Sequence, residues 1–164
     1  MARTVDNLMK MFTSGSESNI RYMAFAEAAD KEGQPNAAKI FRAIATAKMF
    51  HALSHFRAAN FTDTTTENLK QALEEETYDF KNAYPPMVQD AVNDDALEAR
   101  HSLEYGMSIG PVITKLISKA IGSSDADESG SYYVCPVCGN IEFGQAPVKC
   151  PFCGVDAGDF VSVS

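Results

Sequence analysis

The sequence predicts a mainly α chain, a four-helix bundle followed by a small cysteine-knuckle metal module, and three observations carry that expectation. Up to Gly122, long helix-compatible stretches are interrupted only at Gly33-Gln34-Pro35, at the polar run Asn60 to Thr66 and at Asn93-Asp94-Asp95. All four cysteines lie beyond those stretches, as Cys135-Pro136-Val137-Cys138-Gly139 and Cys150-Pro151-Phe152-Cys153-Gly154. Between the two regions, the segment from Gly122 to Gly130 has no apolar residue larger than alanine and reads as a flexible acidic connection. The expected organisation is therefore a bundle over residues 1–122, a linker over 123–130 and a metal module over 131–164.

Each helix has its own signals. The first is expected from near Val5 to Gly33, where glycine suits a helix C-terminus and Pro35 the first turn of the next. The second then runs from about Asn36 to Ala59. The third is expected from Thr64-x-x-Glu67, a candidate capping box, to about Val92, and the fourth starts at Asn93-Asp94-Asp95. Short turns after helices 1 and 3 and a longer crossover between helices 2 and 3 give a ferritin-like connectivity.

Composition bounds the partners. The 164-residue chain carries a net charge of -8, and from Ser123 onward six acids face the single base Lys149. Phosphate binding needs the opposite charge, so nucleic acid is not an expected partner. No apolar run reaches the length of a membrane span, and the opening Met1-Ala2-Arg3-Thr4-Val5-Asp6 lacks a secretory apolar region. A cytoplasmic protein is expected.

The repeated C-P-x-C-G pattern is a metal-site signature. Two such turns present four thiolates to one ion, because the glycine after each second cysteine lets the backbone bend until its amides face the sulfurs. Disulfides are the competing reading. A bridge across only two intervening residues is strained, and nothing in the chain indicates an oxidising compartment. Cys135, Cys138, Cys150 and Cys153 are the expected metal ligands, with iron or zinc as the ion. Tyr132, Tyr133, Phe143, Phe152 and Phe160 are candidates for an aromatic cover.

In the bundle, Ile40, Ile44, Lys48, His51 and His55 fall on one helical stripe, and Glu76 with Asp79 stand one turn apart in helix 3. Two carboxylates at that spacing can chelate an ion, while the run Glu74-Glu75-Glu76 reads equally as a solvated acidic face. Tyr22, Tyr78, Tyr105 and the scattered methionines read as core filling.

These residues together resemble the rubrerythrin family over nearly the whole chain. Arg21-Tyr22-Met23-Ala24-Phe25-Ala26, Ile40-Phe41-Arg42 with His51-Ala52, Glu76-Thr77-Tyr78-Asp79 and Tyr84-Pro85 are similar to its bundle motifs. Tyr133-Val134-Cys135 and Ala146-Pro147-Val148-Lys149-Cys150 are similar to its closing rubredoxin-type domain. The resemblance implies a ferritin-like bundle that dimerises and a rubredoxin-type iron that passes electrons to a di-iron centre reducing hydrogen peroxide. It also implies ligands that this chain lacks. The helix 1 position is Gly15, the helix 2 E-x-x-H reads Lys48-Met49-Phe50-His51, and the helix 4 motif reads Gly110-Pro111-Val112-Ile113. Only Glu76, Asp79 and His51 remain as residual di-iron positions. Lys48 is expected to supply a cation to Glu76 or Asp79, and Glu17 and Glu104 are the available substitute ligands.

The leading expectation is a redox protein transferring electrons through an Fe(Cys)4 centre, with the di-iron site mostly lost, a homodimer and an unidentified redox partner protein. The alternatives are a peroxide reductase with a modified ligand set and a zinc-stapled, non-enzymatic dimeric scaffold.

Overall fold

A computed structural model describes residues 2–122 and 130–164 of the chain; the expected linker therefore falls mostly outside the described residues. It resolves into two compact units, Met1–Asp63 and Thr64–Ser164. The expected fold class is found: helices throughout the first part, then a small three-stranded sheet carrying the cysteine knuckles.

The first unit is a hairpin of α1 (Ala2–Lys31) and α2 (Pro35–Ala58). Its turn follows from three residues. Gly33 adopts φ 71°, and the amides of Gly33 and Gln34 donate to the carbonyls of Asp30 and Ala29 at 3.0 and 2.8 Å. That closes α1 with paired C-terminal hydrogen bonds before Pro35 opens α2. The seam between the helices is built from small residues. Ala38, Ala45 and Ala52 recur every seven positions on α2 and are buried, opposite buried Gly15, Ala26 and Ala29 on α1. Asn19 Nδ2 crosses the seam to the Ala45 carbonyl at 2.8 Å. Aromatic pairs lock its ends: Phe12 with Phe56 at 4.9 Å between centroids, and Phe41 with Phe25 at 5.6 Å. Arg42 reaches across to Asp30 at 2.7 Å.

Such a narrow seam leaves longer side chains on the outer faces. Met11, Met23 and Met49 are exposed, as are Met87 and Tyr78 in the second unit, so reading these as core filling does not hold; Ile20, Ile40 and Phe50 are exposed as well. Helical spacing told these residues apart from polar ones but not which stripe the partner helix covers.

In the second unit, Thr64 caps α3 (Thr65–Tyr78), its hydroxyl accepting from the Glu67 amide at 3.3 Å. The third helix is not one α-helix as expected. Asp79–Ala83 forms a π-helical turn before α4 (Tyr84–Asn93), with the Tyr84 amide bonding the Asp79 carbonyl. Pro85 and Pro86 provide the cause: neither has an N–H, and their rings crowd the carbonyls one turn back, so the ladder widens there. Asp95 at φ 52° ends α4, with the Ala96 amide on the Ala91 carbonyl at 3.0 Å. Thus Asn93-Asp94-Asp95 closes the third helix and α5 (Leu97–Gly122) begins just after it. α5 packs along α3, the π turn and α4, and runs through Pro111.

The strands are β1 (Tyr132–Val134), β2 (Ile141–Phe143) and β3 (Val161–Val163), antiparallel in the order β2-β1-β3. Tyr132 and Phe143, paired across β1 and β2, pack with tilted rings 5.1 Å apart between centroids. Three-residue strands hold little by themselves. The cysteine knuckles that lead out of them supply the rest.

Candidate metal centre

Each knuckle is a turn dictated by its glycine. Gly139 and Gly154 both adopt φ 78°, a left-handed conformation that side-chain-bearing residues pay strain to enter. In the first knuckle the Cys135 amide donates to the Asn140 carbonyl at 2.8 Å and the Gly139 amide to the Cys135 carbonyl at 3.0 Å. The second repeats this, Cys150 to Val155 at 2.8 Å and Gly154 to Cys150 at 2.9 Å. Two copies of one turn thus face each other.

Between them the four sulfurs converge. The Sγ atoms of Cys135, Cys138, Cys150 and Cys153 lie within 4.8 Å of one another, and the pairs Cys135/Cys153 and Cys138/Cys150 approach to 3.4 Å. Sulfurs about 3.7 Å apart are what a tetrahedron with metal–sulfur bonds of about 2.3 Å requires. The pairing runs between knuckles, not within them. Electrostatics favour a cation here: burial opposes the Cys135 thiolate, but the N–H groups of Cys138 and Val137 aimed at its sulfur hold the thiol down at about 7. Cys138 and Cys153 are pushed the other way, first by burial and then by neighbouring sulfurs. A cluster that ionises once and resists further charge is relieved by a metal ion, which favours all four thiolates together.

The centre is roofed from the helical side. Ile109 of α5 is buried in one cluster with Cys135, Cys138 and Cys150, and Tyr105, Val112, Ile113, Val155 and Phe160 pack against it. Of the expected aromatic cover only Phe160 joins this cluster; Tyr132 and Phe143 pair with each other, and Phe152 is 40% exposed at the knuckle tip. Sequence reading took Tyr105 as core filling, which holds, but missed Ile109, whose helical spacing gives no sign of a cysteine partner. It also missed Asn140, which follows Gly139 and is 1% exposed.

Of the residual bundle positions, His51 lies in the first unit and Glu76 with Asp79 in the second. Glu76 is half-buried at the end of α3, Asp79 is exposed at the start of the π turn, and His51 is exposed on α2. The only cluster of potential metal-binding side chains found among the described residues is the cysteine set. Lys48 lies on α2 in the first unit, Glu76 and Asp79 in the second. Glu17 and Glu104 are engaged locally, with Arg21 at 3.9 Å and Arg100 at 2.7 Å.

Glu76 stands apart in charge. Burial, then repulsion from Asp79 and Glu75, pushes its carboxyl above the usual range. A raised folded value contributes stability only at low pH, and that contribution is lost as pH rises through the folded value. Glu76→Gln should therefore raise the melting temperature at pH 7.5, with the gain shrinking toward pH 4. Equal gains at both pH values would show that the charge of Glu76 is not the cause.

Comparison with known proteins supplies the family. The Rubrerythrin family model matches residues 6–107, well over half of the chain. Rubrerythrin-2 of Clostridium acetobutylicum is 28% identical, over 97% of this chain and 96% of that protein. Nigerythrin of Nitratidesulfovibrio vulgaris is 25% identical, over 92% of this chain and 81% of its own. Among solved structures, fully reduced, all-ferrous nigerythrin superposes with a TM-score of 0.58 at 23% identity, covering 97% of this chain and 86% of that one. A partially reduced state of nigerythrin gives 0.59 over the same shares. These superpositions speak to the fold alone.

Proposed function

The chain belongs to the rubrerythrin family, and on that premise we propose that it is an iron-binding redox protein whose working centre is a rubredoxin-type Fe(Cys)4 site at Cys135, Cys138, Cys150 and Cys153. The observation that carries this reading is the convergence of the four sulfurs within 4.8 Å between two matching knuckles. Iron held by four thiolates changes oxidation state by one electron with little rearrangement, and amides aimed at sulfur stabilise the more reduced, more negative form. The residues fit that demand. Cys135 receives amides from Val137 and Cys138, Cys138 from Asn140, and Cys153 from Val155.

In this reading the bundle's di-iron centre is lost and the helices serve as a scaffold. A dinuclear carboxylate site needs about six ligands drawn from four helices, and packing crowds two of the places where the family pattern calls for them. A Cβ on Gly15 would lie 3.2 Å from the Ala52 Cβ, and one on Gly110 would lie 2.3 Å from the Phe80 Cβ. The arginine pairings of Glu17 and Glu104 argue against their recruitment as substitutes. A homodimer and a separate redox protein as electron partner, in the cytoplasm, complete the proposal. No helix among the described residues is long and apolar enough to cross a membrane.

The test is metal analysis with a visible spectrum on protein purified without oxygen. One iron per chain with iron–thiolate bands is the expected result. A colourless protein carrying zinc overturns the redox reading, and further iron with peroxide-dependent turnover overturns the loss of the bundle site.

A further inference from the structure

We infer that Asn140 and Glu142 form a tuning pair that lowers the reduction potential of the cysteine-bound iron from the side of the first knuckle, an inference that rests on the iron reading above. The argument comes from a break in symmetry. Asn140 and Val155 occupy equivalent places after the two C-P-x-C-G turns: each accepts the amide of its knuckle's first cysteine at 2.8 Å, and each aims its own N–H at the second cysteine's sulfur. Their backbones do the same work. Their side chains do not.

A valine suffices at the second knuckle, so the turn itself has no need of an amide. Yet Asn140 is 1% exposed, and burying an amide costs free energy unless its polar atoms find partners. Asn140 Nδ2 donates to Glu142 Oε1 at 3.0 Å, fixing a half-buried carboxylate on β2 two hydrogen bonds away from the Cys138 sulfur. Glu142 takes part in no ion pair among the described residues. Near the second knuckle, by contrast, the acid Asp156 is matched by Lys149 at 3.2 Å. The acid beside the first knuckle is therefore unpaired among the described residues and is held by Asn140, whereas Asp156 beside the second is paired with Lys149.

The consequence for a one-electron site has a definite sign. Reduction adds a negative charge to a centre that the four thiolates already make negative, and a fixed carboxylate nearby opposes that addition. Glu142 thus favours the ferric form, and Asn140 acts through it as a positioning residue. The amide donated by Asn140 to Cys138 works in the opposite direction, as its counterpart from Val155 does for Cys153, so those backbone contributions offset no part of the asymmetry.

The experiment is a spectroelectrochemical titration of the full chain reconstituted with iron, whatever metal it carries on purification. Glu142→Gln should shift the ferric-to-ferrous ratio at a fixed potential by about three- to tenfold toward ferrous, the size expected for one partly screened charge. Asn140→Val, which copies the second knuckle, should shift it in the same direction, whereas Val155→Asn should leave it within twofold. A ratio within twofold of wild type for Glu142→Gln, with one iron bound and unchanged thiolate bands, overturns the inference. Zinc in the protein as purified instead overturns the iron reading, and the reconstituted chain still decides the role of Glu142.

Discussion

Substituting Cys138 by serine is expected to cost the chain its metal and, with it, the fold of residues 130–164. This part of the chain has strands of three residues each and a single short 3-10 turn, and its buried residues are chiefly the cysteines themselves. A segment below about 40 residues seldom folds on apolar burial alone. Metal binding and folding are then one equilibrium, and structural zinc sites of this kind contribute about 10–16 kcal/mol in small peptides at neutral pH. Losing one of four thiolates leaves a weaker, open site. Ile109 and Tyr105 would lose their cover as well, since they pack on the cysteine cluster. The expected observation is loss of the thiolate bands and rapid proteolysis after Gly122, while far-ultraviolet circular dichroism keeps most of its helical signal. A Cys138→Ser protein that retains a full complement of metal and resists protease would show that the module is held by its strands and by α5. Chelator treatment of the unmodified chain should reproduce the same loss, which separates the metal's contribution from any harm done by the hydroxyl.

What the sequence disclosed follows from how local each cause is. The turn at Gly33-Gln34-Pro35, the Thr64 cap and the two knuckles are set by residues adjacent in the chain, and all were legible. The π turn was not, because Asp79 to Ala83 have ordinary helical character and the disturbance comes from missing donors at Pro85 and Pro86 further on. The cover given by Ile109 was not legible either, since nothing about an isoleucine on a helix announces a cysteine thirty residues later as its neighbour. The same holds for Asn140. After C-x-x-C-G an asparagine looks like a loop residue, and only its burial and its bond to Glu142 set it apart from Val155. Met11, Met23 and Met49 show the converse error: an apolar stripe was visible, but an alanine seam places the close contact elsewhere.

The glycines of α5 lead to the second large effect. Gly110→Ala is expected to destabilise the chain by about 1–3 kcal/mol, even though alanine is favoured over glycine within a helix by about 1 kcal/mol. The new methyl would stand 2.3 Å from the Phe80 Cβ, 2.6 Å from Cγ and 2.7 Å from Cδ1. The first of these atoms is fixed to the backbone, so no rotation of the ring relieves the clash; α5 and the π turn must move apart. At Gly106 the obstruction is the far end of the Tyr84 ring, at 2.6 Å, which has more freedom to give. Gly106→Ala should therefore cost less than Gly110→Ala, and Gly122→Ala, which meets no atom of the described residues within 4 Å, should cost least from sterics. Urea titrations of the three variants give the ranking. If the close approach is the cause, Phe80→Gly combined with Gly110→Ala should cost less than the sum of the two single changes, because the Cβ that the methyl meets is then gone. Equal costs at all three glycines would instead mean that α5 and the π turn separate freely. The consequence reaches the bundle chemistry: a glutamate introduced at residue 110 must first push aside Phe80. Introducing a carboxylate there is thus expected to lower stability before it adds any affinity for metal.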